Sequence, residues 1–234
     1  MDINKKTKEW YTSYYKNNAD RNDLRGNPQV LFQVLAMEAS IINALRFVKQ
    51  DTCRARVLDV GCGNGGNYYQ LVRLSYRLNN ITGIDINEER IEEGAKVYLQ
   101  SHFVVGDASQ MVFPNGSFDL VYESTMFSTL PDDDLCASIA SEMVRVCCLG
   151  GYLLLVDWRI PKPNNPNYNA LTRKKLHKFF GIGERTKLVA VTKGALVPPI
   201  GRFLSQYLPS MYFLVARIFP LLVGQVTYVL QKTK

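Results

Sequence analysis

The sequence predicts a doubly wound α/β fold around a parallel sheet, preceded by an N-terminal helical extension. Three observations predict it. Short apolar runs alternate with helical stretches from Arg56 onward. The first run, Val57-Leu58-Asp59-Val60, stops at a glycine-rich turn, Gly61-Cys62-Gly63-Asn64-Gly65-Gly66. Polar or acidic residues (Asp59, Asp85, Asp107, Tyr122, Glu123 and Asp157) sit where successive runs end, and in open sheets ligands bind beyond the carboxyl ends of the strands.

Residues 1–26 are polar and carry Trp10, Tyr11, Tyr14 and Tyr15. They are expected to be a lid or a disordered segment, depending on whether those rings find a surface. Pro28 then opens a predicted helix over 29–49, with Val30, Leu31, Val34, Leu35, Glu38, Ile41, Ile42 and Leu45 on or near one face. Residues 1–50 are thus assigned to a helical lid or extension and 51–234 to one ligand-binding domain. Strands are predicted at 56–60, 81–85, 102–106, 118–122, 151–157, 186–192 and 223–231. Helices are predicted near 67–78, 87–99, 132–147, 168–180 and 200–218. Residues 161–167 read as a loop because of their prolines and asparagines. The stretch 196–222 is apolar and aromatic but broken by prolines, Arg202, Gln206 and Arg217. It holds no uninterrupted apolar run of membrane-spanning length. Ile200, Phe203, Leu204, Tyr207 and Leu208 make its apolar face, which is expected to pack on the sheet; the alternative is peripheral contact with a membrane.

The glycine turn carries the chemistry. Such a turn lets a ligand approach the main chain, and the helix after it, starting near Asn67, presents free N–H groups. Asp85 closes the run Ile81–Asp85 about 20 residues past the turn, the spacing that suits a ribose diol. A carboxylate there accepts from both ribose hydroxyls, and charge-assisted bonds are strong. A nucleoside-containing cofactor is therefore expected. Asp85 has the alternative role of a helix N-cap, although Asn87 is better placed for it. Asp107 has the alternative role of a turn residue, and Asp119 is expected to be structural.

Charge and cysteines narrow the classes. The chain has 28 basic and 21 acidic side chains, for a formal charge of +7. The basic residues are dispersed, with modest clusters at Lys5–Lys8 and Arg173–Lys178, so a solvated surface is favoured over a nucleic-acid face. The five cysteines form no C-x-x-C pair, and the start shows no secretory pattern. Free thiols in a reducing cytoplasm are expected, and no metal site.

Further blocks follow the turn: Val104-Val105-Gly106-Asp107-Ala108, Gly116-Ser117-Phe118-Asp119-Leu120-Val121, Glu142-Met143-Val144-Arg145-Val146 and Gly150-Gly151-Tyr152 onward to Asp157. Over about 55–160 their order and spacing resemble the class I S-adenosylmethionine-dependent methyltransferases, in the branch of quinone, sterol and sugar methyltransferases. The resemblance implies a Rossmann-like, seven-stranded, mostly parallel sheet whose final strand runs antiparallel. It implies S-adenosyl-L-methionine as cofactor, held by Asp59, Gly61, Gly63, Asp85, Ile86, Asp107, Ala108 and Glu123. Asp59 would lie beside the cofactor's amino group, the backbone at Gly61 and Glu123 along its methionine part, Asp107 at the adenine amino group and Ala108 N–H at the ring. Met111 and Phe113 are placed to wall the adenine. The cofactor's carboxylate needs a cationic or N–H partner, for which Arg25 and Arg21 are the candidates.

The resemblance implies methylation of a small molecule (a metabolite, sugar or polyketide-like compound) at oxygen or carbon. The alternatives are a membrane-peripheral quinone or lipid methyltransferase and an inactive cofactor- or RNA-binding module. Many relatives carry histidines where this chain has Ser128 and Thr129. Asp157 is the first choice of base here and His177 the second; Glu123 remains open. Trp158 and Tyr168, with Tyr11, Tyr14 and Tyr15, are expected to wall the acceptor.

Overall fold

The computed structural model describes residues 24, 26–130, 132–162, 165 and 168–234. Trp10, Tyr11, Tyr14, Tyr15, Arg21 and Arg25 lie outside them.

In chain order the elements are α1 (Pro28–Leu45), β1 (Val57–Val60), α2 (Tyr68–Arg73), β2 (Ile81–Asp85), α3 (Glu88–Val97), β3 (His102–Val105) and β4 (Phe118–Ser124). Then come α4 (Asp133–Val146), β5 (Cys147–Trp158), α5 (Arg173–Phe180), β6 (Thr186–Lys193), α6 (Pro198–Tyr207), α7 (Tyr212–Ile218) and β7 (Gln225–Lys232). The sheet has seven strands in the order β3-β2-β1-β4-β5-β7-β6. All pairs from β3 to β5 are parallel, and β7 runs antiparallel between β5 and β6. The order reverses beside β1, which pairs with β2 on one side and β4 on the other. That reversal opens a crevice at the carboxyl ends of β1 and β4.

β1 is buried along its length, as a central parallel strand must be. Alternate residues feed two cores. Leu58, Val60, Val121, Leu153 and Leu155 pack with Ile139, Ala140 and Met143 of α4. Val57, Leu120, Tyr122 and Leu154 pack with Ile41 and Ala44 of α1 and Tyr68 and Leu71 of α2. A strand's period of two sends these sets to opposite faces. Asp59 shares its face with Val57, whereas Glu123 and Asp157 share theirs with Val121 and Leu155.

Several predicted boundaries change. The helix expected over 67–78 stops at Arg73, and Ser75 takes a left-handed φ of 72°. The helix expected over 200–218 is two helices, α6 and α7, because Pro209 holds Leu208 out of helical geometry. The buried stripe of α1 is Ala36, Ser40 and Ala44 with Val30 and Ile41, whereas Leu35 and Ile42 are exposed. Small residues win there because α1 lies close against β6, β7 and α6. The Ser40 hydroxyl meets those of Thr192 (2.9 Å) and Thr227 (2.7 Å). Helix α1 is long and apolar enough to cross a membrane, but these contacts make it part of the folded body.

Candidate active site

The glycine turn is tied to the neighbouring strand. Gly61 and Cys62 donate their N–H groups to Ile84 O (2.8 and 3.2 Å). Gly63 has φ 54°, a conformation that side chains rarely adopt, so glycine suits this turn by its backbone; a Cβ there would stand 2.8 Å from Arg90 Nε, on a side chain that can move aside. Cys62 is buried, and burial pushes its thiol up, which makes it a packing residue and not a nucleophile.

Asp85 faces this turn. Its Oδ2 accepts from Gly63 N–H and its Oδ1 from Asn87 N–H, both at 2.8 Å. Each oxygen keeps a lone pair for another donor. The helix cap falls to Asn87, whose side chain accepts from Arg90 N–H. Asp85 is therefore a fixed acceptor at the turn. Ile86 and Ala108 are half-buried nearby in sequence to the strand ends, and Asp107 Oδ1 accepts from Ser109 N–H (2.8 Å), holding the loop after β3.

Asp59 is the unusual group. Its side chain is 1% exposed, and neither oxygen finds a partner among the described residues. Burial, and then the charge of Asp85, push its carboxyl well above the usual carboxylate range. A buried carboxylate without a donor is costly; a cationic ligand would supply the missing partner. The orphaned acid, the glycine cradle and the pre-set Asp85 together fit the ammonium, backbone-hugging and ribose parts of an adenosyl amino acid.

Two further acids lie deeper along the strand ends. Glu123 is fully buried; Oε2 accepts from Met126 N–H (3.1 Å) and Oε1 has no partner among the described residues. Asp157 is fully buried; Oδ2 accepts from Ser128 N–H (2.9 Å) and Oδ1 from Trp158 N–H (2.7 Å). Burial, reinforced by Asp157, pushes Glu123 up. Burial pushes Asp157 up to about 6, against the hydrogen bonds it accepts from Ser128 and Trp158. Two like charges this close favour keeping a proton between them.

Past the end of β5 lies an open cavity of about 500 Å³, lined by Trp158, Ile160, Lys162, Tyr168, Val197 and Arg202 among others, with the buried Asp157 behind its wall. The Lys162 ammonium stands 4.3 Å from the Tyr168 ring centroid. Tyr168 Oη is buried without a partner among the described residues, and burial and the Asp157 charge push it up. The structure thus brings Trp158 and Tyr168 to one wall, as expected. His177 is not brought there: it is exposed on α5, whose buried face is Leu176, Phe179 and Phe180. The expectation that it reaches the site is corrected by that helix rotation.

One positioning device escapes the sequence reading. Arg145 and Glu142 of α4 are ion-paired (2.6 Å). Arg145 donates to Met111 O (2.9 Å), Phe113 O (2.8 Å) and Asn115 Oδ1 (2.8 Å), while Glu142 accepts from Met111 N–H (2.7 Å). The pair clamps the loop that follows Asp107. Its i,i+3 spacing signals an ion pair, but nothing local in the sequence says which loop it grips. Asp119 is structural as expected: it takes two bonds from the Arg56 guanidinium and one from Arg56 N–H.

Residues 57–151 match the family model described as "Methyltransferase domain". Among curated proteins, 2-methyl-6-phytyl-1,4-hydroquinone methyltransferase of Synechocystis is 37% identical over 105 residues, 44% of this chain and 31% of that protein. Fatty-acid O-methyltransferase of Mycolicibacterium smegmatis is 35% identical over 115 residues, 48% of this chain and 40% of that protein. The matched segment therefore spans well under half of either relative. Among solved structures, geranyl diphosphate C-methyltransferase from Streptomyces coelicolor, in complex with S-adenosyl-L-homocysteine, superposes with a TM-score of 0.62 at 14% identity, covering 84% of this chain and 77% of that one. A Pyrococcus horikoshii protein superposes with a TM-score of 0.63 at 16% identity, covering 95% and 99%. At these identities the structural likeness speaks for the fold.

Proposed function

We propose that this chain, whose residues 57–151 match a methyltransferase-domain family model, is a class I S-adenosylmethionine-dependent methyltransferase and transfers a methyl group to a small-molecule acceptor seated beside the end of β5. The observation that carries the proposal is Asp59, a fully buried carboxylate without a donor among the described residues, set next to a glycine cradle and a pre-oriented Asp85. S-adenosylmethionine, when bound, supplies an electrophilic methyl group on a sulfonium. Asp59 would pair with its ammonium, Asp85 with its ribose hydroxyls, and Ile86, Asp107 and Ala108 with its adenine side. The backbone at Gly61 and Glu123 would lie along its methionine part.

The chain's own task is to position the acceptor and take a proton. Holding reacting groups in line supplies several kcal/mol, up to about 7–11 in favourable cases. Trp158 and Tyr168 hold the acceptor by their rings. Asp157 takes the hydroxyl proton as it leaves, a step that needs a base because neutral alcohols are weak nucleophiles. By their names the relatives act on a phytyl hydroquinone and on a fatty acid, which supports an acceptor with an apolar body, methylated at oxygen or carbon. The five unpaired cysteines support a reducing, cytoplasmic setting.

Calorimetry tests the reading. S-adenosylmethionine is expected to bind, and Asp85→Ala to weaken it about 100-fold, the value of two lost charge-assisted bonds. No binding at high micromolar concentration, with the variant indistinguishable from wild type, would overturn it.

A further inference from the structure

The net charge of this chain lies entirely in its last 50 residues. No Asp or Glu follows Glu184, whereas Arg185, Lys187, Lys193, Arg202, Arg217, Lys232 and Lys234 do. These are 7 of the 28 basic residues, so the first 184 residues hold equal numbers of both signs. An even scatter of acids would not leave such a tract empty.

Arg185, Lys187, Lys232 and Lys234 gather where β6 begins and β7 ends, whereas Arg202 and Arg217 share the α6–α7 stretch with an apolar ridge that no described residue covers. Along α6, α7 and the turns that join them, Phe203, Tyr207, Phe213, Ile218, Phe219 and Leu221 are exposed, Tyr207 at 62% and Leu221 at 85%. An apolar ridge this extensive marks an interaction surface. The sequence expectation that 196–222 packs on the sheet holds only for its underside. Gly201, Leu204 and Ser205 are buried, the Ser205 hydroxyl donates to Pro28 O (2.6 Å), and the buried Tyr212 accepts from Leu196 N–H (3.2 Å). Phe203, Tyr207 and Leu208, three of the five residues assigned to the inner face, point outward. The ridge is therefore held rigidly from below while its rings face away from the protein.

Its form suits a bilayer surface. Helices α6 and α7 have 10 and 7 residues, too short to cross a hydrocarbon core. Short helices with aromatic and aliphatic residues on one side and cations at hand lie in the interfacial plane. Arg202 and Arg217 sit within the ridge. A second copy is a poorer occupant: a two-fold interface sets a patch against itself, and this tract offers its arginines no acid to meet. Arg202 also lines the cavity past the end of β5, so ridge and cavity share α6.

We propose that the α6–α7 ridge seats in the interface of an anionic phospholipid membrane, and that the acceptor reaches the cavity from that side; only this second clause rests on the methyltransferase reading. The test is co-sedimentation of the full chain with vesicles of phosphatidylcholine, with and without phosphatidylglycerol. Binding is expected to be about tenfold tighter to the anionic vesicles and to weaken with salt. The double variant Ile218→Ser/Phe219→Ser should lose about tenfold in binding and keep wild-type melting temperature and S-adenosylmethionine affinity. Absence of binding to either vesicle, a double variant that binds like wild type, or a wild-type dimer that the double variant converts to monomer would overturn the proposal. Vesicle binding without cofactor binding would sink the methyltransferase reading and leave the membrane proposal standing.

Discussion

Two regions at the same end of this sheet solve opposite problems. At the carboxyl ends of β1, β4 and β5, charged groups are pulled inside: Asp59, Glu123 and Asp157 are all fully or nearly fully buried. Along α6 and α7, apolar groups are left outside, among side chains of one charge sign. Each arrangement costs stability in the free protein, and each cost is removed by a partner of the right chemistry. A buried acid needs a cation or donor, and an exposed ring needs an apolar phase. The places where a chain departs from ordinary burial rules are thus the places where it expects company.

The comparison breaks most sharply at Asp157. If it accepts the proton, Asp157→Asn lowers kcat by about 10²- to 10⁴-fold. Its carboxyl is pushed up to about 6, and a base works when ionised. The wild-type rate should therefore climb as pH rises through about 6 and then level off, and the variant's residual rate should lack that step. A pH–rate profile on both proteins checks this; an unchanged profile in the variant would assign Asp157 to structure alone.

Next in size is the underside of the ridge. Tyr212 is fully buried, with its hydroxyl tied to Leu196 and its ring 5.7 Å from that of Phe32. Tyr212→Ala is expected to cost about 3–5 kcal/mol, the range for a deleted core aromatic. Leu221→Ser, a few residues on but 85% exposed, should change stability by less than about 0.5 kcal/mol. Equal losses in denaturant melts would mean that the ridge is core after all.

A smaller effect sharpens the cofactor end. Arg145→Gln removes the charge that ties Met111, Phe113 and Asn115 to α4. Cofactor affinity should fall about tenfold, with kcat changed far less, because the clamp shapes the loop and touches no reacting group. A loss confined to kcat would contradict that.

Much of the cofactor end was legible in the sequence because its signals are local. A buried parallel strand is a run of apolar residues, and the acid or glycine that stops it falls where ligands bind, so β1 to β5 and the position of Asp85 followed directly. Asn87 as a cap and Asp119 as a structural acid followed from their places at element starts. What escaped depends on the other side of a contact. The buried stripe of α1 is Ala36, Ser40 and Ala44 because a strand pair and a helix press close against it, and no apolar periodicity reports that. The single helix expected over 200–218 overlooked how firmly Pro209 constrains Leu208. His177 falls on the solvent side of α5 by a rotation that a basic, weakly patterned helix does not encode. The Arg145–Glu142 pair is visible as spacing, and its grip on the loop after Asp107 is visible only in three dimensions.

β7, the last strand in chain order, lies between β5 and β6. A ribosome must therefore release residues up to 232 before β5 gains its second partner and β6 its first. Until then β5 has a raw edge and β6 has no strand beside it, so a chain stalled or clipped before this point would be a target for chaperones and proteases.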